Sequence, residues 1–171
     1  MLKRLRTWFE RLLEAIVILL MITLAAEVTI GVIYRTLGYS LSWYDEIASV
    51  LLAWLTYYGA ALAALKRAHI GVPGVLQALP RRLRLPLVVV SEILVFCFLL
   101  LLAWVGLQVM DMLATDFLIS LPNISSNYTQ SVIPIGAVLY IIAQALNLPD
   151  TLRSAKAGHI KHQAEAEEIA Q

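Results

Sequence analysis

Apolar residues dominate this chain in four long runs, and the polar positions are gathered into the short stretches between them. The first run, Leu12 to Tyr34, is interrupted only by Glu14, Thr23, Glu27 and Thr29. The second, Ile47 to Leu65, contains no charge at all, and at about 1.5 Å per residue it alone covers roughly 28 Å, close to the thickness of a bilayer's hydrocarbon core. A third runs from Pro86, a favourable first helical position, to Met112, and a fourth from Ser131 to Leu148. The pattern predicts an all-α integral membrane protein with transmembrane helices at about 12–34, 43–65, 86–112 and 131–148. Residues 1–148 form the membrane domain and 149–171 a polar tail.

The second run carries the most detailed signal. Ser42 followed by Asp45 is a capping signature that starts a helix at about Trp43, and Asp45 and Glu46 then occupy a first turn where the helix dipole favours carboxylates. Ser49, Ala53, Thr56, Ala60 and Ala63 recur at helical spacing on one side, with Leu51, Trp54, Leu55, Tyr58, Leu62 and Leu65 opposite. In lipid, a stripe of small residues lets another backbone approach. Two partners are open for it: a helix of this chain, or another protein.

Composition agrees with the pattern: 60% of the 171 residues are hydrophobic, and the mean hydropathy is +0.78. Ordinary soluble domains lie nearer half apolar. A net charge of +1 gives no footprint for nucleic acid. The placement of the charges is more informative. Lys3, Arg4, Arg6 and Arg11 precede the first run, Lys66, Arg67, Arg81, Arg82 and Arg84 lie between the second and third, and Arg153, Lys156 and Lys161 follow the fourth. With four spans all of these share one side and Arg35 alone falls on the other, which predicts both termini in the cytoplasm. Met1–Arg11 reads as a short amphipathic segment on the membrane surface. The 66–86 connection reads as a second interfacial amphipathic segment, between helices 2 and 3.

Candidate chemistry is sparse. Glu27 is the acidic residue well inside the first span, and such a carboxylate is a functional candidate in a membrane. Thr23 and Tyr34 share its face with Gly31 beside them, so a hydrogen-bonded helix contact near the outer interface, or pairing with Arg35, accounts for it structurally. Glu14 lies near the inner end, within reach of Arg11, and Glu92 lies close in sequence to the 81–84 arginines. His69 has no second histidine or carboxylate at ligand spacing, and reads as an interfacial hydrogen-bonding group. Single Cys97 forms no intramolecular disulfide. Facing intramembrane histidines for a haem, a glycine-rich phosphate loop and a metal-ligand cluster are all missing from the sequence. The reading is of a chain that is not an enzyme and holds no cofactor.

The combination of Leu41, Ser42, Trp43 and Glu46, then Trp54, Gly59 and Ala60, then His69, Ile70 and Val72 resembles the small permease subunit of tripartite ATP-independent periplasmic (TRAP) transporters. The sequence departs from that family's pattern at Ser49, where an Arg is frequent, and at Pro73, where an acidic residue often follows. The resemblance implies a multi-pass protein of the bacterial inner membrane that scaffolds a large permease subunit amid membrane lipid. It implies sodium-coupled uptake of an organic acid delivered by a periplasmic solute-binding protein, with the coupling sodium held in the large subunit. Trp43, Asp45, Glu46, Ser49, Ala53, Ala60, His69, Glu27 and Arg35 are then the candidate interface or structural residues. The alternative is a self-sufficient four-helix, proton-coupled exporter with Glu27 as its essential carboxylate.

Overall fold

The computed structural model describes residues 2–39, 41–66 and 81–157. Its long helices are α1 (Leu2–Thr36), α2 (Tyr44–Leu65), α3 (Arg81–Met112) and α5 (Val132–Ala157), with a 3-10 turn at Leu113–Thr115 and a short α4 (Ser126–Gln130) in the connection between α3 and α5. Four helices are long and apolar enough to cross a membrane. The described residues contain no strand, only an isolated bridge between Phe117 and Ser125.

α1 packs along α2, α2 along α5, and α5 along α3, so α1 and α3 are the outer members of the array. Little of the apolar surface is buried inside the chain. Leu19, Ile22, Leu94, Phe98, Leu101 and Trp104 are all more than half exposed, as lipid-facing or partner-facing side chains must be when lipid is as apolar as they are. The core is small and sits at the end that carries the start of α1 and the last turns of α2. There Phe9 and Leu13 of α1 meet Ala61, Ala64 and Leu65 of α2 and Ala143 of α5, with Tyr58, Leu62, Leu139, Tyr140 and Leu146 around them.

Several boundaries differ from the sequence reading. No separate surface segment precedes the first span, because α1 is continuous from Leu2 and buries Phe9 and Leu13 in the core. Residues 2–30 contain neither Gly nor Pro, so nothing in this stretch breaks the helix. α1 also runs past Tyr34 and ends in a Schellman turn: the N–H of Tyr39 bonds the Tyr34 carbonyl (3.0 Å), that of Gly38 the Arg35 carbonyl (3.2 Å), and Gly38 takes the left-handed φ of 86° that the turn requires. α3 begins at Arg81, with Pro86 inside it rather than at its start. A proline this near an end removes one hydrogen bond, from the Arg82 carbonyl, which lies close to water. α5 continues beyond Leu148 through Pro149 to Ala157, so the first residues assigned to the tail are helical. Of the expected interfacial segment at 66–86, residues 81–86 belong to α3, and 67–80 lie outside the described residues.

Gly31 of α1 lies against the Tyr44 ring of α2, and two further glycines also set how closely the helices pack. A Cβ on Gly136 of α5 would stand 2.8 Å from the Tyr57 Cβ of α2, and one on Gly106 of α3 would stand 2.9 Å from the Pro134 Cδ of α5. Neither position has room for a side chain.

Candidate functional site

The polar side chains that work in this structure lie at the two ends of α2. At the end facing the 113–131 connection, Glu46 is the central group. Its Oε1 accepts the backbone N–H of Ile119 (3.0 Å) and its Oε2 that of Ser120 (2.8 Å), while the Ser120 hydroxyl donates to the Ser42 carbonyl (2.8 Å). One carboxylate thus grips two consecutive amides. The loop it grips is closed on itself, through Leu118 N–H to the Ile124 carbonyl (3.0 Å) and Ser126 N–H to the Asp116 carbonyl (2.8 Å). Two turns further along α2, the Trp54 indole donates to the Thr129 carbonyl of α4 (2.9 Å), and its ring tilts against Tyr58 with centroids 6.2 Å apart.

This arrangement overturns the expected cap. The N-cap of α2 is Trp43, and no side chain makes a capping bond there. Ser42 contributes its carbonyl instead of its hydroxyl to the visible contact, and Glu46 serves the loop rather than its own helix. Sequence reasoning weighed local partners only, whereas the loop that claims Glu46 arrives from more than seventy residues away.

At the opposite end the last carbonyls of α2, which have no partner within the helix, are met from two directions. Asn147 of α5, only 3% exposed, donates through Nδ2 to the carbonyls of Ala64 (2.8 Å) and Leu65 (3.1 Å). Arg6 of α1 adds a bond to the Leu65 carbonyl (3.2 Å) and lies 3.7 Å from Asp150 of α5. Lys66 pairs with Glu14, and lies 4.0 Å from Glu10. The hydrogen bond that Lys66 donates to Glu14, with the Glu10 charge beside it, holds the exposed Lys66 ammonium above its ordinary pKa. Glu14 therefore faces α2 and not Arg11. Nothing in the sequence singled out Asn147, although an Asn in the last turns of an apolar run needs a partner.

Glu92 of α3 accepts a hydrogen bond from Gln144 of α5 (2.8 Å), a contact between helices that the reading through the 81–84 arginines did not include. Of the small-residue stripe, Ser49 and Thr56 are exposed and Ala53, Ala60 and Ala63 half-buried. Both hydroxyls bond carbonyls of their own helix, Ser49 to Glu46 and Thr56 to Leu52 (2.8 Å each). The buried face of α2 is instead formed by Ala61, Ala64 and Leu65. The stripe lies beside the internal contact. His69 lies outside the described residues. Asp45 and Arg35 are exposed.

Glu27 does not make the hydrogen-bonded contact expected of it. Thr23 turns its hydroxyl to the Leu19 carbonyl (2.8 Å), and both Glu27 carboxylate oxygens are buried without a hydrogen-bond partner among the described residues. Glu27 lines a cleft of about 360 Å³ between α1 and the start of α2, bounded also by Thr23, Ile30, Gly31, Leu41, Trp43 and Tyr44. Among the described residues, no group of His, Cys, Asp and Glu is disposed to hold a metal ion.

The arrangement is that of a chain whose polar groups tie its own helices together at both membrane faces. Residues 24–154 match the family described as tripartite ATP-independent periplasmic transporters, DctQ component. The chain is also 31% identical over 145 residues, 84% of its own length and 83% of the relative's, to the sialic acid TRAP transporter small permease protein SiaQ of Vibrio cholerae serotype O1. With a family match over most of its length and four membrane-capable helices, the chain belongs to the small permease (DctQ) family of TRAP transporters and is a multi-pass protein of the inner membrane.

Proposed function

We propose that this chain is an accessory subunit that docks on a large permease and supports its scaffold. The large subunit then holds both the organic acid and the sodium ions that drive its uptake, and a periplasmic solute-binding protein delivers the acid. The observation that carries this reading is where the polar groups are spent. Glu46, Trp54, Asn147 and the Glu92–Gln144 pair each join two parts of this chain. Among the described residues, cations occupy the ends of the helices and none stands near mid-membrane, where an anion site would need one.

The end bearing Arg6 and Lys66 faces the cytoplasm on this reading, and the loop gripped by Glu46 faces the periplasm and the binding protein. Sialic acid, named for the Vibrio cholerae relative, gives the substrate class: an acid recognised by the partner chains. Co-expression of the tagged chain with its large permease, followed by purification in mild detergent, tests the reading. A stable complex at a fixed ratio is the expected result. A chain that purifies alone from membranes rich in both proteins argues against it.

A further inference from the structure

Among the clefts, charged clusters and apolar faces of this molecule, the Glu27 cleft combines buried charge with open space. Both carboxylate oxygens are shut from solvent with no hydrogen-bond partner among the described residues. A carboxylate taken out of water without a partner is costly, and intramembrane acids pair with cations or face polar cavities. Arg35 lies eight residues further along the same helix, a rise of about 12 Å, and does not reach it. Asp45, at the start of α2, adds a second negative charge that acts on Glu27. Apart from Thr23, whose hydroxyl is turned to the Leu19 carbonyl, the remaining boundary is largely apolar, with Ile22, Ala26 and Ile30 on the α1 side and Leu41, Trp43 and Tyr44 on the other. α1 is an outer member of the array, packed mainly along α2 and meeting α5 at Phe9, Leu13 and Arg6. Val28, Ile30, Val32 and Ile33, around and beyond the cleft, are 38–52% exposed.

We infer that the cleft between α1 and α2 receives a guanidinium or ammonium side chain from a transmembrane helix of the large permease, with Glu27 as its counter-ion. This rests on the reading of the chain as an accessory subunit. Charge complementarity selects the occupant. A carboxylate with no hydrogen-bond partner among the described residues calls for a positive group, and the apolar walls call for one carried on an apolar helix. A zwitterionic lipid headgroup is the poorer fit, because its amine brings a phosphate into the neighbourhood of Asp45. The extended α1 supplies the flank along which the partner helix lies.

The test compares wild-type chain and Glu27→Gln, each co-expressed with the large permease and purified in mild detergent. Removing one partner of a desolvated ion pair weakens such an interface by at least about tenfold, so recovery of the complex should fall by that order. Glu27→Lys should lose the complex entirely, and one Lys→Glu or Arg→Glu change in the large subunit should restore it. A photoreactive benzoylphenylalanine at Ile30 in the otherwise wild-type chain should cross-link to the large subunit, which settles the matter even if the Gln variant folds poorly. Undiminished recovery of a folded Glu27→Gln complex, or cross-linking to lipid alone, overturns the inference and leaves the accessory role standing. Failure of the wild-type chain to co-purify at all removes both.

Discussion

Replacing Asn147 by leucine is the sharpest perturbation the fold offers, because the side chain is buried and its role is purely polar. Leucine has as many side-chain heavy atoms but is bulkier, so no cavity opens, and some overpacking adds to the loss of two hydrogen bonds to the end of α2. A neutral bond contributes about 0.5–1.5 kcal/mol net, and a buried carbonyl left bare costs about 1–3 kcal/mol. The Leu65 carbonyl keeps its bond from Arg6, so the full penalty falls mainly on Ala64. The expected destabilisation is about 2 kcal/mol, measured by titrating the protein in mild detergent with a denaturing one and following helicity.

Two companion variants sharpen the reasoning. Asn147→Asp is nearly isosteric but presents only acceptors to carbonyls at the negative end of the α2 dipole, so it should be worse than leucine. Arg6→Met combined with Asn147→Leu should cost more than the two separate losses added together, by about 0.5–1 kcal/mol, since the pair then leaves Leu65 bare. An Asn147→Leu protein within about 0.5 kcal/mol of wild type, or an aspartate variant more stable than the leucine one, refutes the capping role.

Glu46→Ala should release the loop it grips: hydrogen exchange in peptides covering 113–125 should accelerate while α5 peptides stay unchanged, and equal exchange in both proteins would sink the assignment. Gly136→Val should destabilise the membrane domain by about 1–3 kcal/mol, because a Cβ there collides with Tyr57, whereas Gly59→Ala, with nothing within 4 Å, should be neutral or slightly stabilising in the same titration. In a Cys97→Ser background, Ser125→Cys should react with an impermeant thiol reagent added to intact cells and Gln163→Cys should not; the reverse pattern would invert the orientation.

The spans were legible because their signal is additive: long uncharged runs of bilayer length need no knowledge of what packs where. The helix ends were less so. Gly38 sits where a C-terminal turn needs a left-handed residue, so the helix ends there and not where the apolar run stops at Tyr34. Pro86 and Pro149 mark boundaries by local rules, but a proline near the end of a helix sacrifices one hydrogen bond and the helix continues. Contacts distant in sequence were not legible. The grip of Glu46 on Ile119 and Ser120, the reach of Asn147 to Ala64, and the pairing of Lys66 with Glu14 all join residues whose proximity depends on which helices are neighbours. Local rules gave Glu46 a helix dipole and Glu14 an Arg, and tertiary partners claimed both. The small-residue stripe was correctly read as a periodic feature, but periodicity does not say which face turns inward.

The central claim is that this chain supplies binding surface and not a transport pathway, and reconstitution tests it most directly. The chain alone, and the chain with its large permease and binding protein, are placed in liposomes under an inward sodium gradient and offered radiolabelled sialic acid and a set of other carboxylates. Uptake of one of these acids by the complete assembly, with none by the lone chain under either a sodium or a proton gradient, is the predicted result. Gradient-driven movement of any of these acids by the lone chain would contradict it.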